Sequence, residues 1–351
     1  ATMARLLSPF TIKQQVSVDV GSTARKSSYI YDIAISSVPN PATIVTTSSK
    51  HTIQIYDRNT LAQLSELKGL TKKITGIATG NVNPNLVWSC SEDPCVVLWD
   101  LRTSQPALTY TLHRSDLVPS CCAVNCNDGI LATGTNLKEE DALLTLWDVR
   151  NTKPMAVLED AHSDDITEIC FHPSTPTSCA SCSTDGLVNF YDMSLVADPD
   201  NAIVSTVNSL SSMSKIGYFG PNGAYLYGLT HTEEYFCWHA TVLEDEEASE
   251  VVVHFDDLRA SIARQGVKVD YFVENFYDPT TQRLYLIGGT HDGQLLIFHV
   301  NKGSVSFASA LSGGHTATVR AVHWLSDTNE FISGGEDGAL TLWSRTPNDN
   351  D

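Results

Sequence analysis

Basic side chains are scarce in this sequence. It has 351 residues, with 22 Lys and Arg against 41 Asp and Glu, a formal net charge of −19. A surface of that sign repels nucleic-acid phosphate and anionic lipid, and it attracts basic peptides and proteins. Direct nucleic-acid binding and membrane association are therefore not expected. No apolar run approaches the roughly 18–20 residues of a membrane span. The opening stretch ATMARLLSPFTIKQQ lacks the apolar centre of a secretion signal. Nine cysteines, an odd number scattered along the chain, form no small disulfide framework. A reducing compartment, nuclear or cytoplasmic, is the expectation. Phosphate loops are missing too, since Gly288-Gly289 has no Lys-Ser/Thr after it. No Gly-x-Ser-x-Gly nucleophile elbow occurs. Neither a cofactor nor an enzymatic activity is expected.

What is present is a repeat. A short alternating run closes on an aromatic residue seven times: TTSSKHTIQIYD (46–57), SCSEDPCVVLWD (89–100), DALLTLWD (141–148), SCSTDGLVNFYD (181–192), LTHTEEYFCWH (229–239), GGTHDGQLLIFH (288–299) and SGGEDGALTLWS (333–344). The closing aromatics are Tyr56, Trp99, Trp147, Tyr191, Trp238, Phe298 and Trp343, spaced 43, 48, 44, 47, 60 and 45 residues apart. Most of these spacings match the roughly 40–45 residues of a propeller blade. Within each unit, an Asp-Gly-like turn precedes an alternating apolar strand, and further strands flank it, making four per unit. The expected architecture is all-β: one domain, 1–351, a propeller of seven blades. The last unit ends soon after Trp343, so PFTIKQQVSV (9–18) is expected to supply its missing outer strand and close the ring. The long gap holds an expected insertion at 240–268, containing the acidic run LEDEEASE (243–250) and a short helix within 256–266.

The Trp-Asp pairs at 99–100 and 147–148, with Gly314-His315, resemble the WD-repeat family across nearly the whole chain. Segments 125–150, 161–174, 183–192 and 313–324 resemble, more narrowly, the WD repeat-containing protein 89 family. The resemblance implies a propeller with no established catalysis. It also implies that two Ser, His and Asp sets are structural tetrads and not catalytic triads: His162, Ser181, Asp185 and Tyr191, and His315, Ser333, Asp337 and Trp343. In each, the aromatic bonds the Ser, the Ser bonds the His and the His bonds the Asp. Blades 1, 2 and 6 depart from the pattern at Lys50, at the missing His and at Gly288. No catalytic residue is assigned.

Cys179 and Cys182, with His162 and His172 nearby, have the look of a metal or redox motif. Positions three apart on a strand point to opposite faces, about 10 Å apart along it, so a regular strand cannot offer both thiolates to one ion. No metal site is expected.

Two faces are candidates for a partner. The turns between second and third strands share one face, the top, and carry acids. Glu92, Glu140, Asp165, Glu233, Glu234 and Glu336 are the candidates there for holding a Lys/Arg-rich protein or peptide, such as a ribosomal protein, a histone or a basic tail. Asp93, Asp141, Asp185 and Asp337 belong to turns or tetrads. The alternative is the opposite face. WDLR (99–102) and WDVR (147–150) resemble the Trp-Asp-x-Arg box of cullin-type ubiquitin-ligase substrate receptors, in which the Arg faces an adaptor protein. Arg102 and Arg150 would then dock that adaptor. The protein itself is expected to be a monomer that binds other proteins.

Overall fold

The structure is a computed structural model in which residues 10–18, 28–35, 43–139, 142–240 and 251–345 are described. Its strands form seven four-stranded sheets, the blades of a seven-bladed β-propeller. Six sheets take their strands in chain order. The seventh takes Phe10–Ser17 as its outer strand, beside Ala339–Arg345, Glu330–Gly335 and Val319–Leu325. The N-terminal strand thus completes blade 7, as the short last repeat predicts. Phe10 pairs with Arg345 and Ser17 with Ala339. Lys13 pairs with the buried Glu330 at 2.7 Å, and Gln15 Nε2 donates to the Gly314 carbonyl at 2.6 Å.

Burial follows position in the blade. Second and third strands such as Ser178–Ser183 and Leu187–Asp192 are buried along almost their whole length. Both faces of a central strand are covered, so small and apolar residues run through it without alternation. Outer strands such as Gln105–Thr111 are largely exposed. The Asp-Gly turns predicted from sequence occur where Gly186, Gly293 and Gly338 take φ of 87°, 91° and 70°. That left-handed region is one that glycine enters without a Cβ clash.

The chain divides into two compact units. One comprises Glu66–Asp256 with 36–43, and holds blades 2 to 5. Its first strands, Ile74–Thr79, Pro119–Val124, Ile166–Phe171 and Met213–Phe219, neighbour one another in that order. Apolar clusters fill the spaces between sheets. Trp88, Tyr110, Leu131 and Trp147 lie between blades 2 and 3; Leu144, Ile166, Cys179 and Tyr191 between 3 and 4; Cys182, Phe190, Met213 and Trp238 between 4 and 5. The other unit comprises the chain up to Ile35, Ile44–Ser65 and the chain from Asp257, and holds blades 1, 6 and 7. Phe276, Tyr285, Phe331 and Trp343 join blades 6 and 7, while Ile30, Ile33, Ile332 and Leu342 join 7 and 1.

The segment 240–268 is in part a blade. Val251–Phe255 pairs with Tyr235–His239 as the fourth strand of blade 5, so it is not an insertion throughout. The acidic run 243–250 lies outside the described residues. The helix is Leu258–Ala263, and Asp257 caps it by accepting from Ala260 N at 2.7 Å. Just after it, the Gln265 amide bonds both Val305 O and Phe307 N on the outer strand of blade 6. A side-chain amide thereby covers one open peptide of that strand edge.

Candidate functional site

The Ser, His and Asp sets come first, because they resemble chemistry. In blade 4, Tyr191 Oη lies 2.8 Å from Ser181 Oγ, which lies 2.7 Å from His162 Nε2. His162 Nδ1 is 3.1 Å from Asp185, whose carboxylate also accepts from Ser163 N and Leu187 N. Blade 7 repeats this in the other unit. Trp343 Nε1 donates to Ser333 Oγ at 2.7 Å, Ser333 meets His315 Nε2 at 2.7 Å, and His315 Nδ1 meets Asp337 at 3.1 Å. Ser181 and Ser333 are wholly buried, and each hydroxyl is held between an aromatic and a histidine. No substrate reaches such an oxygen, which a nucleophile requires. For Asp185, burial pulls the pKa up, but bonds from His162 and the Leu187 and Ser163 amides outweigh it and hold it below the ordinary value. Asp337 is lowered in the same way.

Blade 2 lacks the histidine and keeps part of the chain. Trp99 Nε1 still donates to Ser89 Oγ at 2.8 Å, while Thr71 Oγ1 donates to Asp93 at 3.1 Å. In blade 3, Trp147 Nε1 is buried without a partner and its ring meets Tyr110 edge-on at 5.9 Å. Cys179 and Cys182 pack into different apolar clusters, on opposite faces of their sheet. Among the described residues, no group of three or more His, Cys, Asp or Glu is arranged to hold a metal ion. Likewise, no described helix is long and apolar enough to cross a membrane.

The edge of the unit of blades 2 to 5 that holds most of the candidate acids is built from two kinds of loop that bond each other. Turns between second and third strands meet the loops entering first strands through Glu92 N to Lys73 O, Asn136 N to Val118 O, Thr184 N to Asp165 O and His231 N to Ser212 O. Glu92 is exposed in the turn after Leu86–Ser91, but Lys72 donates to its carbonyl and lies 3.8 Å from Asp93. Glu139 faces Arg114 at 3.5 Å. Glu140 and Asp141 lie outside the described residues. Asp165 Oδ1 accepts from Leu137 N at 2.6 Å, which ties blade 3's turn to the loop before blade 4. Glu233, at φ 67°, and Glu234 sit in the turn of blade 5, where Glu234 accepts from Thr232 and lies 3.6 Å from His254 Nε2. Glu336 belongs to the other unit and is engaged by Arg320.

These placements separate two halves of the edge. The loops of blades 2 and 3 include Lys72, Lys73, Arg114 and Lys138. Those of blades 4 and 5, residues 163–165, 184–186, 209–212 and 231–234, hold Asp164, Asp165, Asp185, Glu233 and Glu234 with no Lys or Arg.

The opposite edge carries the arginines. Arg102 follows the third strand of blade 2, and its Nε and Nη2 donate to Asp100 at 2.9 and 2.6 Å. Arg150 holds Asp148 in the same bidentate way, with its Nε at 2.8 Å. Hydrogen bonding from Arg150 holds Asp148 down to about 2. The side chains of Arg102 and Arg150 are 65% and 85% exposed. Each pair uses two of the five guanidinium N–H groups, so three remain directed to solvent.

Residues 152–192 and 308–344 match the model of the WD domain, G-beta repeat. Over 348 residues the chain is 30% identical to the WD repeat-containing protein 89 homolog of Dictyostelium discoideum, covering 98% of this chain and 91% of that one. The chain belongs to the WD repeat-containing protein 89 family. Its fold also matches the β-propeller domain of Myceliophteria thermophila Cps50 (Swd1), with a TM-score of 0.71 at 16% identity over 96% of this chain and all of that one. This WD-repeat chain is also similar, at 24% identity over 208 residues, to a DDB1- and CUL4-associated factor 11 homolog of Caenorhabditis elegans, covering 53% of this chain and 36% of that one.

Sequence reasoning missed three features. Thr71 Oγ1 bonds Asp93 in blade 2, and only the fold shows it. Hydroxyls at strand bulges bond between blades, which depends on register. The third is Leu210, a single Leu in the uncharged run NSLSS (208–212), whose isolation among serines was a legible signal.

Proposed function

We propose that this WD-repeat protein is a non-enzymatic interaction scaffold that holds a basic protein or peptide on the acidic edge of blades 2 to 5. Glu233, Glu234 and Asp164 at blades 4 and 5 carry most of the attraction, and Glu92 contributes from blade 2. What supports this reading is the composition of the blade 4 and 5 loops, which hold Asp164, Asp165, Asp185, Glu233 and Glu234 and no Lys or Arg. Opposite potentials steer encounter and fix orientation, and salt weakens both. Asp165 is a bracing residue as well as a charge, and Glu336, in the other unit, is engaged by Arg320. The proposed location is the nucleus or cytoplasm, where basic proteins are abundant.

The test is fluorescence anisotropy with a labelled 12-residue Lys/Gly peptide and a Glu/Gly control of the same length. The wild type should bind the basic peptide and not the control, less tightly as salt rises. Glu92→Lys, Glu233→Lys and Glu234→Lys together should weaken binding by about tenfold or more. Affinity unchanged within about twofold, in a variant of unchanged Tm, contradicts the reading.

A second reading has its own observation. Arg102 and Arg150 project from equivalent turns of adjacent blades, each fixed by an Asp and each open to solvent. Such a pair suits an adaptor of a cullin-type ubiquitin ligase, and one relative's name refers to DDB1. Purified DDB1 should then bind the wild type and lose binding to the Arg102→Ala, Arg150→Ala variant. That variant should keep its affinity for the basic peptide.

A further inference from the structure

Blade 2 keeps both ends of a tetrad and lacks the ring between them. Trp99 bonds Ser89 as Trp343 bonds Ser333 and Tyr191 bonds Ser181. Thr71 N donates to Asp93 as Ser163 N does to Asp185 and Thr316 N to Asp337. The residue before each of these donors is the ring position, so Leu70 stands where blades 4 and 7 have His162 and His315. Both histidines are buried, whereas Leu70 is half-exposed.

A second difference moves the loop. In blades 4 and 7 a polar residue of the third strand holds the carbonyl just before the histidine. Asn189 Nδ2 donates to Ala161 O at 2.5 Å, and Thr341 Oγ1 to Gly314 O at 3.1 Å. Each of them pairs with the tetrad serine across the strands. In blade 2 the residue paired with Ser89 is Val97, whose side chain has nothing to donate. The loop stands off accordingly. A Cβ on Gly314 would overlap the Trp343 ring, while one on Gly69 would lie 3.6 Å from Trp99. A cleft of about 360 Å³ opens there, within the unit of blades 2 to 5, and Leu70, Thr71, Asp93, Cys95, Val97 and Trp99 line it. That volume is at the lower end of the roughly 300–1,000 Å³ of small-ligand sites.

The two end groups have bonding capacity in hand. Thr71 N lies 3.3 Å from the Asp93 carboxylate, against 3.0 and 2.8 Å for Ser163 N and Thr316 N on theirs. Lys72 is 3.8 Å from Asp93 and bonds Glu92 O. Ser89 is wholly buried; its Oγ accepts from Trp99 and, among the described residues, donates to nothing.

We propose that this cleft is a receptor for an imidazole ring from outside the chain, as a partner's histidine side chain or as a small molecule. The ring N–H donates to Asp93, in the way that His162 and His315 Nδ1 meet Asp185 and Asp337, and its carbons lie against Trp99 and Val97. The chain's own repeats supply the template: the same two end groups hold a histidine in blades 4 and 7.

Cys95 reports on the cleft, because its half-exposed thiol lines it. Burial, Asp93 and Cys90 raise its pKa, so it reacts slowly. Cys126, equally half-exposed, lies in blade 3 and serves as the internal control. The full chain is treated with iodoacetamide at about pH 8.5, where imidazole is neutral and thiols begin to ionise, and alkylation is followed by mass spectrometry. Imidazole at about 100 mM should slow Cys95 about threefold, the protection expected for a Kd of about 50 mM, and leave Cys126 within about 1.5-fold. 1-Methylimidazole, which has no N–H, should protect little. Leu70→His, which places the ring on the chain itself, should slow Cys95 without added imidazole and raise Tm. A Gly/Ser peptide with one central His separates the sources. Protection by the peptide at or below the imidazole concentration assigns the site to a side chain; protection by imidazole without protection by the peptide assigns it to a small molecule. No protection by either, or equal protection by 1-methylimidazole, overturns the proposal, whether or not Leu70→His folds.

Discussion

Ser120 Oγ donates a 2.5 Å hydrogen bond to the carbonyl of Ile166, the first residue of the next blade's first strand. The residue sits at a bulge, where the pairing of Pro119–Val124 with Ile130–Thr135 slips between Pro119 and Cys121. Thr75 does the same to Pro119 O at 2.7 Å, and Thr167 to Met213 O at 3.1 Å, from bulges at the same point of their strands. The bulge turns one side chain toward the neighbouring sheet, and the hydroxyl satisfies a carbonyl there. Three blade junctions in the unit of blades 2 to 5 are therefore latched by one device. Ser120→Ala should cost about 1–2 kcal/mol. Thr167→Val, which keeps the shape, should cost a similar amount by leaving Met213 O without that donor. Urea denaturation followed by tryptophan fluorescence measures both.

In the tetrad of blade 4, Ser181→Ala removes the hydroxyl between Tyr191 and His162. Both partners stay buried, and about 2–4 kcal/mol of stability should be lost. Adding Tyr191→Phe should recover part of that, because it removes one stranded hydroxyl. A second substitution that worsens the loss by its own full cost would mean that the two residues act independently.

Asp185 and Asp337 are held below the ordinary carboxylate value in the folded state. A depressed folded pKa adds stability above the unfolded pKa, and that stability is lost as pH falls through the folded value. Resistance to unfolding should therefore decline as pH drops below about 4. Asp185→Asn and Asp337→Asn should be less stable at neutral pH and show a shallower decline in acid. Thermal melts between pH 2.5 and 7 provide the comparison.

The repeat spacing made the fold legible, because a closing aromatic recurs in all seven units and a turn glycine in three of them. The tetrads at 162–191 and 315–343 were legible through the resemblance to the WD-repeat family. The engagement of Glu336 by Arg320, and Asp165's bond to Leu137, were not. Each depends on which loops a bulged register brings together, and spacing does not encode that. Blade 5's outer strand was hidden for a related reason: Val251–Phe255 follows an acidic run, so its weak alternation reads as part of a loop.

The exposed Arg102–Asp100 and Arg150–Asp148 pairs should matter little for folding. Surface ion pairs contribute little to stability, so Arg102→Ala and Arg150→Ala should leave Tm within about a degree or two of wild type. A large loss would mean that these side chains brace their turns, and it would remove the reason to read them as a docking pair.

The thiols offer a check on the blade 4 strand. Burial raises the pKa values of Cys179 and Cys182 far above that of a free thiol, and that of Cys237 to about 12. The thiolate is the reactive form. In the native protein these three should resist a thiol reagent, while the half-exposed Cys126 reacts first. Mass spectrometry of the labelled peptides identifies the order.

The most direct test of the central claim is a hydrogen–deuterium exchange footprint of the Lys/Gly peptide on the full chain. Protection in 163–165, 184–186, 208–212 and 231–234 is the predicted result. Protection confined to 101–104 and 148–152, or none in the presence of measured binding, would contradict it.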